Sequence, residues 1–204
     1  MQPAASPWRA LTAGAIVAVI CTGSVSVAVP APTTGRGSYR ELHSLADLSA
    51  QRLGTAGRVA AAKWGAGGPV DDPTREQQVL DAAARQAREV RADPVATVKI
   101  FRDRIEANKQ VQRALHSRWN ANPADAPEET PDLSVVGGEI NRLNLALVRG
   151  IAVSAASRAA PSCRATLTAA TVQVRHARRL DRVHTAALAR ALRFVCAGAS
   201  AEVS

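Results

Sequence analysis

Arg52 and Lys63 stand eleven positions apart in a stretch with helical periodicity. At about 100° per residue their directions differ by only about 20°, so on an unbroken helix they share a face. Arg75 and Glu76 fall in the first turns after Asp72, a good helix cap. Asn108 and Gln112 are an i, i+4 pair, again on one helical face, while Arg104 and Ile105 beside them can point elsewhere. Brought together, these side chains supply three cations, two amides and one carboxylate, with no nucleophile. No Ser-His-Asp arrangement and no Gly-rich phosphate loop accompanies them. Such a set suits an anionic ligand whose reaction needs orientation and charge stabilisation, not a covalent intermediate. Each residue alone is ordinary: an arginine on a helix is usually a solvated charge, and Glu76 near a helix N-terminus is favoured by the macrodipole.

The elements that must position these residues are all helical. Leu42, Leu45, Leu48 and Leu53 recur at helical spacing, and the pattern runs on through Val59 to Trp64 as one long helix, ended by Gly65-Ala66-Gly67-Gly68-Pro69. Asp72-Pro73 opens a second helix to about Ala92, since Asp caps well and Pro is tolerated at the first helical position. Asp93-Pro94 repeats that signal for a third, carrying Val98, Phe101, Ile105 and Val111 to about Trp119. Residues 120–131 form a Pro- and acid-rich loop. Asp132 caps a fourth helix with Leu133, Ile140, Leu143, Leu147 and Ile151, which Pro161 stops. Ser162 to about Ala199 fits two more helices around a turn near His176 to Asp181. The expectation is an all-α single domain of about six helices, spanning residues 39–204.

Composition bounds the rest. Hydrophobic residues make up 47% and aromatics 3%, so the core must be built from Ala, Val and Leu. The net charge is +9, but the arginines are scattered and aromatics for base stacking are few, which argues against a nucleic-acid partner and leaves a small anionic ligand. Only Lys63, Lys99 and Lys109 are lysines among 26 Lys and Arg. The four histidines are dispersed, so no metal site is expected.

Residues 1–28 read as a signal peptide: Arg9 precedes an apolar run from Ala10 to Ile20, followed by a small-residue stretch with cleavage after Ala28 or Ala31. The run is too short for a comfortable membrane span. Residues 29–38 are a Pro-, Thr- and Gly-rich flexible lead-in. The chain is therefore expected in a secreted or periplasmic compartment, with no membrane contact after cleavage. Cys21 leaves with the leader; Cys163 and Cys196 remain as a disulfide candidate, the alternative being two free buried thiols.

The segment VAAAKWGAGGPVDDPTREQQVL (residues 59–80) resembles the signature of the helical chorismate mutases, in particular their exported class. The spacing Arg-x10-Lys-x8-Asp-x2-Arg-Glu occurs as Arg52, Lys63, Asp72, Arg75 and Glu76, and IEANKQVQ (residues 105–112) supplies Asn108 and Gln112. The NANPADAPEETPDL loop and the Cys163 and Cys196 pair are similar to the same class, and the likeness covers residues 42–196. The resemblance implies a type II helical bundle, an isomerase converting chorismate to prephenate, no cofactor, and a homodimer with each site inside one chain. It casts Lys63, Gln112, Glu76 and Arg52 as catalytic, and Arg52, Lys63, Asp72, Arg75, Glu76, Asn108 and Gln112 as substrate-binding. One departure stands out. The exported class carries a further arginine early in the fourth helix, and a gapless match puts Gly137 there, with Arg142 one and a half turns later. The alternative reading is an exported helical interaction protein on the same scaffold with weak or no mutase activity.

The small-residue stretch generates a first test. The protein recovered after export should begin at Val29 or Pro32. Its intact mass decides this, and a mass retaining the leader would overturn it.

Overall fold

The computed structural model describes residues 35–196. The signal peptide, its cleavage sites, Cys21, the first part of the lead-in and the expected helix end near Ala199 lie outside the described residues. The chain forms α1 (Gly35–Gly54), α2 (Ala56–Gly65), α3 (Pro73–Glu89), α4 (Pro94–Ala121), a 3-10 turn (Pro123–Asp125), α5 (Leu133–Val153), α6 (Ala155–Ala159), α7 (Cys163–Ala177) and α8 (Arg182–Ala191). There is no strand among the described residues. The breaks at Thr55 and Ser154 each interrupt a helix for one residue, so the eight α-helices among the described residues correspond to the six expected.

The start signals read from sequence act as caps. Asp72 Oδ1 accepts from Arg75 N at 2.9 Å, Asp93 Oδ1 from Val95 N at 2.8 Å and Asp132 Oδ1 from Ser134 N at 2.7 Å; Asp181, which the sequence placed only in a turn, caps α8 in the same way, its Oδ1 accepting from His184 N at 2.7 Å. Each satisfies an N–H that has no intrahelical partner. Three helices end alike, with a left-handed residue followed by a bond from the next N–H to the carbonyl five residues back. Gly67 takes that place after α2 at φ 64°, and Arg91 and Arg179 take it after α3 and α7.

Two sequence expectations are corrected. The first long helix is broken at Thr55, whose hydroxyl donates to Arg52 O at 2.8 Å and whose N–H reaches the same carbonyl at 3.3 Å. A threonine hydroxyl that occupies a helix carbonyl competes with the helical ladder, and Gly54 beside it lowers the cost of bending. The helix also starts earlier than expected: residues 35–38, the last four of the expected lead-in, form the first turn of α1, where Ser38 is buried.

α1 lies against α5 and α7, while α4 lies against α2, α3 and α8. The core between them is aliphatic, with Leu42, Leu45, Leu53, Ile100, Val111, Leu147, Ile151 and Leu188 almost fully buried around Phe101. Gly150 permits the close approach of α5 to α1, since a Cβ there would meet Leu45 Cδ2 at 2.9 Å. A second, smaller cluster joins the end of α2 to the end of α4. In it Trp64, His116 and Trp119 pack with ring centroids 5.4–5.6 Å apart, and the His116 ring pairs with Ala60 O at 3.0 Å.

Cys163 and Cys196 are bonded, tying the start of α7 to the segment after α8 across 33 positions. Closing a loop of that length stabilises a fold by about 3–4 kcal/mol in the chain-entropy description. Replacing both cysteines with serine should lower the unfolding free energy by about that amount. Denaturant melts of the two proteins measure it, and equal midpoints would refute it.

Candidate active site

The last turn of α1, with α2, α3, α4 and the first turns of α5, lines a cavity of about 390 Å³. Arg52, Lys63, Asp72, Arg75, Glu76, Asn108 and Gln112 all line it. The seven residues picked from spacing thus meet in one place, although the break at Thr55 puts Arg52 and Lys63 on different helices. Val59, Val70, Val79, Ile105, Val136 and Ile140 supply an apolar wall.

Each polar residue is held by a local device. Arg52 sits in the last turn of α1 and its Nη1 donates to Thr55 Oγ1 at 2.9 Å, so the residue that breaks the helix also orients the guanidinium. Burial pulls the Arg52 guanidinium down to about 10, with Glu139 opposing. Lys63 lies in the last turn of α2, where its Nζ donates to Val70 O at 2.6 Å. Burial lowers its pKa, and Asp72, Asp71 and Glu76 resist that shift. Asp72 N donates to Glu76 Oε1 at 3.3 Å while the Asp72 carboxylate caps α3, so the two acids are set by the same helix start. Arg75 is exposed at the rim, its Nη1 on Gln78 Oε1 at 3.1 Å.

Asn108 and Gln112 are both buried. Gln112 Nε2 donates to Asn108 Oδ1 at 2.7 Å, and Asn108 Nδ2 reaches Arg52 O at 3.4 Å. Gln112 Oε1 is buried without a hydrogen-bond partner. A primary amide carries two N–H donors, so Gln112 keeps a second beside the one given to Asn108.

Two further residues differ in what sequence could reveal. Lys109 also lines the cavity and was not singled out; its rarity as a lysine was the one available signal. Arg104 turns away, as expected. Its Nη2 donates to Ser49 Oγ at 3.0 Å, and burial with nearby Arg158 and Arg52 brings it down to about 9.

Residues 43–113 match the chorismate mutase type II family. The chain is 40% identical to the secreted chorismate mutase of Mycolicibacterium smegmatis over 152 residues, 74% of this chain and 84% of the relative. The chain belongs to the chorismate mutase family. The secreted chorismate mutase of Mycobacterium tuberculosis is 36% identical over 76% of this chain and 78% of its own length. The crystal structure of chorismate mutase from Burkholderia phymatum superposes with a TM-score of 0.74 at 35% identity, covering 78% of this chain and 98% of that one. The all-helical architecture expected from sequence is therefore that of solved chorismate mutases.

Against this chorismate mutase background the Gly137 departure has a clear geometry. Gly137 lines the cavity, and a Cβ built on it meets nothing within 4 Å. Arg142 is exposed and is not among the lining residues. The place is thus open and no nearby arginine fills it. The variant Gly137→Arg should lower KM for a dianionic substrate by adding a carboxylate clamp, with kcat changed less. Steady-state kinetics test this, and an unchanged or raised KM would show that the site already binds both carboxylates.

Proposed function

We propose that this cavity converts chorismate to prephenate, and that it does so by non-covalent contacts alone. Chorismate carries two carboxylates, an enolpyruvyl ether oxygen and a ring hydroxyl. In the Claisen rearrangement the ether C–O bond breaks while a C–C bond forms within the same molecule, so atoms and electrons balance without a co-reactant. Negative charge develops on the ether oxygen through a chair-like transition state.

The observation that carries this reading is the convergence of Arg52, Lys63 and Arg75 with two buried amides on one cavity of about 390 Å³. Arg52 clamps a carboxylate with its planar fork. Lys63 bridges a carboxylate and the ether oxygen; its ammonium has three donors and spends one on Val70 O. Gln112 donates its free N–H to the same oxygen, and an amide can do so at every ordinary pH. Glu76 accepts from the ring hydroxyl, with Asp72 N fixing one of its oxygens. Arg75 and Asn108 complete the anion cradle. Holding the compact conformer supplies orientation, and the preset donors stabilise charge where it builds.

The homodimer implied by the resemblance would leave each site complete. The apolar run and small-residue stretch of residues 1–28, with relatives named as secreted enzymes, support an extracytoplasmic location.

Lys63 is the residue this reading can least spare, because it meets both a ground-state carboxylate and the developing ether charge. Removing a donor aimed at developing charge typically lowers kcat by about 10²–10³, and Lys63→Ala should fall in that range. Following chorismate ultraviolet absorbance with purified protein measures it. A variant with near-normal kcat/KM would remove Lys63 from the reaction, and a wild-type protein without turnover would favour the interaction-protein alternative.

A further inference from the structure

We propose that Lys109 is a positioning residue for the reaction, holding the Glu76 carboxylate in place and away from the anion-binding cations. The inference rests on the role given to Glu76 above. Lys109 follows Asn108 on α4 and lines the cavity, yet its side chain is only 10% exposed. Its Nζ lies 3.0 Å from both Glu76 oxygens, 3.0 Å from Asp71 Oδ1 and 2.6 Å from Glu106 Oε1. An ammonium has three N–H donors, and three carboxylates use them. None is left for a ligand, so Lys109 acts through its partners.

Those partners come from three segments: Asp71 from the loop after α2, Glu76 from the first turn of α3 and Glu106 from α4 itself. Lys109 therefore pins the start of α3 onto α4. Glu76 Oε1 accepts from Asp72 N and from this ammonium, and Oε2 from the ammonium alone, which leaves a lone pair of Oε2 for a hydroxyl donor.

The charge balance explains why the clamp is needed. Of the three carboxylates on Lys109, Glu76 lines the cavity meant for a dianion. Lys109 sits among them, and Arg113 adds contacts to Asp71 at 2.7 Å and to Glu106 at 3.9 Å. Lys63 already feels Glu76 electrostatically. Freed from Lys109, the Glu76 side chain would turn toward Lys63 or Arg75 and neutralise a cation that the substrate needs. Burial opposes charge on Lys109, but hydrogen bonds to Glu106, Asp71 and Glu76 outweigh it and hold the ammonium above its ordinary range. A lysine suits this place better than an arginine. Its compact charge meets carboxylates from three directions, whereas a planar fork favours one bidentate partner.

A double-mutant cycle tests the proposal. Lys109→Met, Glu76→Gln and the double variant are assayed for kcat and KM with chorismate, with thermal melting recorded for each. Lys109→Met should lose kcat by up to about 10²-fold, the scale expected for a group displaced by about 1 Å. In the Glu76→Gln background the same substitution should change kcat by less than about twofold, because the group it positions is already gone. Lys109→Arg should recover part of the loss. Equal fold-losses in both backgrounds, or a change in KM alone, would overturn the positioning role. Unchanged kcat in Glu76→Gln by itself would instead sink the role of Glu76, a separate failure. If Lys109→Met does not fold, Lys109→Gln, which keeps one donor, replaces it in the same cycle.

Discussion

Cations drawn out of water in a chain of net positive charge are the constraint on which this structure turns. Arg52, Lys63 and Arg75 converge on one cavity in a chain that already carries +9. Removing a cation from water is unfavourable unless a partner compensates it. Burial pulls the guanidinium of Arg52 and the ammonium of Lys63 toward their neutral forms. The acids at the rim resist this: Glu139 acts on Arg52, and Asp72, Asp71 and Glu76 act on Lys63. A cavity built this way is folded but electrostatically incomplete. In the proposed function a dianion completes it, so that tension tolerated in the free protein would become affinity and orientation in the complex.

The helices serve that end through their termini. Arg52 and Lys63 occupy last turns, and Glu76 a first turn. Only the α4 contribution, Asn108, Lys109 and Gln112, comes from mid-helix. Helix ends can be aimed by caps and breaks without altering the core. Thr55 exemplifies the economy: its hydroxyl bends the chain, and its oxygen receives Arg52 Nη1. The Trp64, His116 and Trp119 cluster holds the end of α2 to α4 beside Lys63.

Much of this was legible in the sequence, for a definite reason. Asp72-Pro73, Asp93-Pro94 and Asp132 are local signals whose capping bonds reach two or three residues, so they survive any tertiary context. The site residues were legible through joint spacing and a family signature, not through periodicity, since the face shared by Arg52 and Lys63 presumed an unbroken helix. At Thr55 the hydroxyl reaches a carbonyl three residues back, whereas Thr97 and Thr171 reach carbonyls four back in helices that continue. Helical order at residues 35–38 depends on what α1 packs against. Lys109 was invisible for a third reason. Only Glu106 lies at helical spacing from it, while Asp71 and Glu76 arrive from elsewhere in the chain.

The aromatic cluster gives the molecule an optical property of its own. The chain has three tryptophans, and Trp8 falls in the leader segment. Trp64 and Trp119 are then the indoles of the exported form, and they touch each other and the same imidazole. Trp64 is also the sequence neighbour of Lys63. In a chain cleaved after the expected signal peptide, tryptophan emission would therefore originate from one spot, at the junction that carries the proposed catalytic ammonium, and would read out that junction without any attached label.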